Sequence, residues 1–246
     1  MRLLNLAAGA AFAGALAVAA PASAAIITTT FEGTIAYGFD QTGLFGAPGQ
    51  ELTGLRFKSV YTTNDTPGSI HGDDGSLTTV QGGTSYGSVD PVTAFLTIGS
   101  GTIFLGGDYY GGAERDDGEY GYDEIENVAF PYLNQFGDGS YTYRDVANDV
   151  ISHAGNMVSD RHYGAPLVYT LTGDDQDYGE FDDISWDGTD QGVVYFNYAH
   201  FSTETVTVST SGGVPEPATW GLMLIGFGGL GLALRRRRGA GALGTI

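Results

Sequence analysis

The segment IITTTFEGTIAYGF, residues 26–39, alternates with period two: Ile27, Thr29, Phe31, Ile35 and Tyr37 fall on one face, and Thr28, Thr30, Glu32 and Thr34 on the other. That spacing is the mark of a β-strand, whose successive side chains point to opposite sides of a sheet. The same β-branched and aromatic vocabulary returns in LRFKSVYTT, VTAFLTI, TIFLG, PLVYTLT, GVVYFNYAHF and TETVTVST, and 40 glycines punctuate the chain. VTAFLTIGSGTIFLG predicts a hairpin that turns at Gly99, Ser100 and Gly101. Only SYTYRDVANDVISHAGN has room for a helix, a short one ended by Gly155. Short strands separated by Gly-rich turns predict an all-β fold, a Gly-rich antiparallel β-sandwich of the jelly-roll kind. No repeat of solenoid or propeller length is visible.

The two ends do not share this pattern. Residues 1–24, MRLLNLAAGAAFAGALAVAAPASA, have the three-part layout of a secretory signal peptide. Arg2 supplies the positive start, Leu3 to Val18 the apolar stretch, and Ala22-Ser23-Ala24 the small residues of a cleavage point, with Ala22 and Ala24 flanking it. A permanent N-terminal membrane helix is the alternative, but the Pro21 break before Ala-Ser-Ala favours removal. The general secretion machinery is thus a predicted partner, and the mature chain is expected to begin near Ala25, outside the cytoplasm. The chain has no cysteine. An exported domain of this kind has no disulfides, thiolate metal sites or Cys nucleophile, and must hold itself by packing or by hard cations. At about 187 residues (25–211) it is long enough to bury a core unaided.

Charge is concentrated in that middle part. Of the 29 acidic residues, 28 lie between 25 and 211, against five basic ones (Arg56, Lys58, Arg115, Arg144 and Arg161), a net charge of about −23. Such a surface repels phosphate backbones and anionic lipid headgroups, which excludes nucleic acid as a natural partner and leaves cations, cationic polymers and neutral glycans. Solubility alone accounts for the charge equally well. Two stretches, 108–126 and 174–190, carry eight carboxylates each, interleaved with Gly and Tyr, and read as ordered surface loops. Carboxylates this dense suit Ca²⁺, which takes six to eight oxygens in flexible geometry. Asp116, Asp117, Asp174, Asp175, Asp177, Asp182 and Asp183 are the candidate ligands. Neither stretch is an EF-hand loop: counted from Asp174 position twelve is Ser185, and from Asp116 it is Asn127, where the bidentate Glu belongs. A merely solvated acidic surface is the competing explanation.

Catalytic motifs are missing. The sequence has no GxSxG elbow, HExxH helix or phosphate-cradling loop, and His71, His153, His162 and His200 are scattered. A glycosidase carboxylate pair is not readable from sequence spacing. Tyr109, Tyr110 and Trp186 are placed to stack on sugars or to pack under loops.

The C-terminal order of parts belongs to no soluble domain. Residues 218–234 are uncharged, and as a helix these 17 residues span roughly 25 Å, a little less than the hydrocarbon core of a bilayer. Five of them are glycine, at a cost of about 1 kcal/mol each in water relative to alanine, so a helix here needs lipid, where the backbone has no other way to satisfy its hydrogen bonds. Trp220 stands at one interface and Arg235, Arg236, Arg237 and Arg238 at the other, an arrangement that keeps the arginines cytoplasmic and the domain outside.

Pro215-Glu216-Pro217, Trp220, the Gly-rich apolar run and the arginine cluster, in that order, resemble the PEP-CTERM sorting signal, in its variant with Trp after the box; the segment is also called the ice-binding-protein C-terminal domain. Gly221 stands where that variant usually has Ala. The resemblance implies a partner, an exosortase of a Gram-negative bacterium. It also implies roles: Pro215, Glu216 and Pro217 as recognition box, the helix as temporary anchor, and the arginines as stop to translocation. The predicted organisation is a signal peptide (1–24), an acidic β-sandwich (25–208), a flexible linker (209–213), the sorting signal (214–238) and a cytoplasmic tail (239–246). The function expected is that of a non-enzymatic envelope, surface or exopolysaccharide-matrix protein. A calcium-assisted glycan-binding module is second, and a secreted hydrolase third.

Overall fold

The computed structural model describes residues 26–211 except 65–69, 74–76, 119–120, 161 and 190–191. The expected signal peptide, Pro215 to Pro217, Trp220, the apolar run and Arg235 to Arg238 lie outside the described residues. Residues 25–211 form one compact unit. Its strands are β1 (Ile26–Asp40), β2 (Gln50–Glu51), β3 (Arg56–Asn64), β4 (Ile70–Asp73), β5 (Leu77–Gly82), β6 (Val92–Ile98) and β7 (Gly101–Leu105). They are followed by β8 (Tyr110–Asp117), β9 (Asp123–Gln135), β10 (Tyr141–Ser152), β11 (Leu167–Thr170), β12 (Gln176–Asp177), β13 (Glu180–Trp186) and β14 (Val193–Ser211). Among the described residues there is no α-helix, only a three-residue 3-10 turn at Thr84–Tyr86.

The all-β, antiparallel expectation holds. The ladder, however, is one continuous sheet in the order β4-β5-β8-β9-β10-β13-β14-β1-β3-β6-β7, where two separate jelly-roll sheets were expected. β1 and β14, the first and last strands, are central partners, with Ile26 opposite Ser211. The two wings fold toward each other, so that β6 and β7 touch β8, β9 and β10 across the interior. Register shifts in the β1–β14, β9–β10 and β13–β14 pairings supply the bending such a closure needs. At one of them Gly33 has no room for a side chain: a Cβ there would overlap the Ser202 carbonyl oxygen.

The core follows the period-two rule. Ile27, Phe31 and Ile35 of β1 are buried with Phe57 and Tyr61 of β3, Leu96 and Ile98 of β6, Val146 and Val150 of β10, and Phe181 of β13. Phe31 meets Tyr61 edge to face at 5.8 Å. Polar links join the wings: the Tyr61 hydroxyl donates to Asn148 Oδ1 at 3.0 Å. Asn127 Nδ2 donates to the Tyr163 hydroxyl at 2.7 Å, and Thr29 and Thr63 lie within 3.3 Å of the same oxygen.

Four sequence expectations are corrected. The helix expected within SYTYRDVANDVISHAGN is strand β10, because Val146, Asn148, Val150 and Ser152 alternate into the core. GVVYFNYAHF and TETVTVST are one 19-residue strand, β14, which also takes Ser209, Thr210 and Ser211 from the expected linker. Tyr37 leaves the face of Ile27 and Phe31, since the bulge between Ile35 and Tyr37 turns it outward, 52% exposed. The acidic stretches are largely strands, β8 with the start of β9 and β12 with β13. The β6–β7 hairpin forms as expected, with Gly99 in the left-handed region (φ 58°) and Gly101 already paired with Ile98.

Candidate functional site

Most of the seven aspartates proposed as calcium ligands are occupied separately. Asp116 Oδ1 accepts the Gly118 amide at 2.9 Å, while Asp117 ends β8 exposed. Asp174 is an exposed turn residue. Asp175 accepts the Thr172 amide at 2.7 Å and the Tyr169 hydroxyl at 2.8 Å, which builds that turn. Asp177 accepts the Thr203 amide at 2.6 Å, and Asp182 the Tyr143 hydroxyl at 3.3 Å. Asp183 points inward, buried, and forms a two-pronged pair with Arg144, Nε to Oδ1 and Nη2 to Oδ2 both at 3.0 Å; Asn197 Nδ2 adds a third bond. The fold does not bring these seven together.

It brings together others. On the outward face, Glu126 of β9 lies opposite Glu114 of β8 and Asp149 of β10. Glu114, Glu124 and Glu126 each offer an oxygen within 4.8 Å of the others. Burial, then the charges of Glu124 and Glu126, hold the Asp149 carboxyl well above the usual carboxylate range, and a side-chain hydrogen bond joins it to Glu124, itself raised by burial. Further along this face Asp145 lies opposite Asp182, and burial, followed by the charges of Asp182 and Glu180, pushes it up to about 7. The described basic side chains are engaged elsewhere: Arg144 inward on Asp183, Arg115 with the carbonyls of His162 and Ala165, and Arg56 and Lys58 on Glu204 and Glu32. Carboxylates crowded this closely favour protons or added cations.

A band of aromatics borders this acidic patch. Trp186 stacks on Tyr141 at 6.3 Å, Tyr141 on Tyr143 at 6.0 Å, and Phe196 on Tyr198 at 4.6 Å. Tyr109 and Tyr110 pack on Phe130 and Tyr86. At the bulge Tyr37 lies flat on His200, centroids 4.1 Å apart and planes at 22°. Beside this pair opens a cleft of about 520 Å³, formed by β1, β13, β14 and the segment after β12.

Sequence reading counts Glu114, Glu124 and Glu126 in the acidic stretch 108–126 but not among the named ligands, and it passes over Asp145 and Asp149. For Glu124 and Glu126 the signal was present, since residues two apart in a strand share a face. The others depend on a register that no local pattern prints.

Beyond the described residues, positions 213–238 match the PEP-CTERM protein-sorting motif as a family. No curated protein matches the chain.

Proposed function

From the premise that this chain carries a PEP-CTERM sorting motif, and so is an exported protein handled by an exosortase, we propose a non-catalytic role at the cell surface or in an exopolysaccharide matrix. The observation that carries this reading is position: the motif begins at residue 213, directly after β14 ends at Ser211, so the folded unit is complete before the sorting segment starts. In this reading residues 1–24 send the chain through the general secretion machinery. Residues 218–234 then hold it in the inner membrane, and Arg235 to Arg238 stop its passage. Pro215 and Pro217 lack backbone donors and restrict φ, which in this reading suits the box to entry into a protease cleft. Exosortase then cuts at or near this box, separating the β domain from the arginine tail.

Mass spectrometry of both termini of the protein from its own host tests this reading. The mature form is expected to begin near Ala25 and to lack GLALRRRR; an intact tail reduces the segment to a plain anchor. Replacing Pro215, Glu216 and Pro217 by alanine is expected to leave a larger, membrane-retained precursor.

The convergence of Glu114, Glu124 and Glu126 favours a second reading, a glycan-binding surface module assisted by Ca²⁺. Saturating calcium at 100 times its dissociation constant adds about 2.7 kcal/mol to stability. Melts that coincide in calcium and in chelator would reduce the cluster to solvated carboxylates.

A further inference from the structure

The cleft beside Tyr37 is lined by Tyr37, Asp177, Tyr178, Glu180 and His200, with Ala36 in its wall. It exists because of a backbone irregularity. β1 pairs Ile35 with Phe201 and Tyr37 with His200, so Ala36 is an extra residue and Tyr37 is turned onto the outer face. The backbone around the cleft is already committed: the Phe201 amide donates to the Gly179 carbonyl at 2.7 Å, and the Tyr178 amide to the Asp149 carbonyl at 2.9 Å. Side chains are therefore what the cleft offers a ligand.

Those side chains are of two kinds. Tyr37 and Tyr178 are 52% and 60% exposed, yet both are steadied, Tyr37 by His200 and Tyr178 by its hydroxyl bond to Gln176 Oε1 at 2.8 Å. Half-exposed rings match a ligand with a flat apolar face. Beside them stands the exposed carboxylate of Glu180, with Asp177, bonded to the Thr203 amide, adding negative charge behind it. Among the described residues no Lys or Arg lines the cleft. A phosphate, sulfate or uronate would be repelled here. A ligand rimmed with O–H and N⁺–H donors would find acceptors, and its cation would also gain from the tyrosine faces. A pyranose ring presents a C–H face and a hydroxyl rim; a pyranose with a free amino group adds the cation.

We infer that this cleft is a binding site for amino-sugar glycans, taking pyranose units with unacylated amines between Tyr37 and Tyr178 and placing the ammonium against Glu180. The inference deepens the glycan-binding reading and rests on it, but it needs neither calcium nor exosortase.

The test is calorimetric titration of the purified full-length chain in mild detergent and physiological salt. The probes are a β-1,4-linked glucosamine trimer, its fully N-acetylated counterpart and a glucose trimer. The glucosamine trimer is expected to bind at least tenfold more tightly than either neutral trimer. Tyr37→Ala, Tyr178→Ala and Glu180→Gln are each expected to weaken it at least tenfold. Asp187→Asn, at an exposed turn carboxylate outside the cleft, should stay within twofold of the parent. Thermal melts identify variants that still fold, and three positions on different segments keep the result readable if one does not. Equal binding of the N-acetylated trimer, no binding of the glucosamine trimer, or an equal loss in Asp187→Asn would each overturn the proposal. Binding of the N-acetylated or glucose trimer with no preference for the glucosamine trimer would sink the cleft's amine selectivity and leave the glycan-binding reading standing, whereas no binding of any trimer would sink both.

Discussion

The two wings of the sheet obey the same alternation but treat their outward faces differently. On β1 and β3 each long cation has a carboxylate beside it: Lys58 Nζ is 2.8 Å from Glu32, and Arg56 Nη1 is 2.6 Å from Glu204 of the neighbouring β14. On β8, β9, β10 and β13 carboxylate faces carboxylate, and the one arginine–carboxylate pair among the described residues, Arg144 with Asp183, is turned into the core. Stability theory separates these cases. Exposed pairs add little, a buried pair is costly to break from one side, and crowded half-buried acids work against the fold when ionised. The second wing therefore holds ionised groups at a disadvantage that ligands or protons relieve.

The largest expected effect comes from breaking the inward pair. Asp183→Ala leaves Arg144 charged and half-buried and deprives Asn197 of its acceptor, and should cost about 3–5 kcal/mol in denaturant unfolding. A loss below about 1 kcal/mol would mean that water already reaches Arg144.

Next comes the acid row. Asp145 is held at about 7, against an ordinary value of 3.8, by burial and then by Asp182 and Glu180. With the folded value above the unfolded one, the native state binds the extra proton between about pH 4 and pH 7. Stability contributed by this group is present below that window and is lost as pH rises through it. Asp145→Asn should thus stabilise the protein by about 1–2 kcal/mol at pH 8, with little change at pH 4. Melting temperature followed across that range in both proteins checks the sign. A parent that gains stability steadily from pH 4 to pH 8 would contradict the description of this wing.

The smallest effect belongs to the balanced wing. Lys58→Ala removes a pair whose partners are 50% and 42% exposed, and should change stability by about 0–1 kcal/mol, less still in high salt. If it rivals Asp183→Ala, the contrast between the wings is false.

Sequence periodicity carried β1 as far as Ile35 and located the hairpin at Gly99, because both are local: one is side-chain alternation, the other a turn whose φ suits glycine. It failed at β10, where the inward set includes Asn148 and Ser152, polar residues that are tolerated inside because Tyr61 and Tyr169 lie within hydrogen-bond reach. It failed at Tyr37, where one extra residue reverses every later side chain of the strand. The carboxylate cluster was hidden for a related reason. Glu114 and Glu126 are twelve positions apart and meet only through the β8–β9 register. The sorting motif was legible because its order of box, apolar run and basic stop is linear and needs no fold to complete it.

The pairing of the first and last strands has a mechanical side. If the chain is held from beyond Ser211, any pull enters along the axis of β14, a strand flanked by β1 on one side and by β13 and β11 on the other. Such a load is shear: β14 must slide lengthwise past its neighbours, and many ladder hydrogen bonds bear the force together instead of opening one at a time. An edge strand joined to the same tether would peel. A domain built to face flow or traction while its C-terminal end is still held gains from having its last strand in the middle of the sheet.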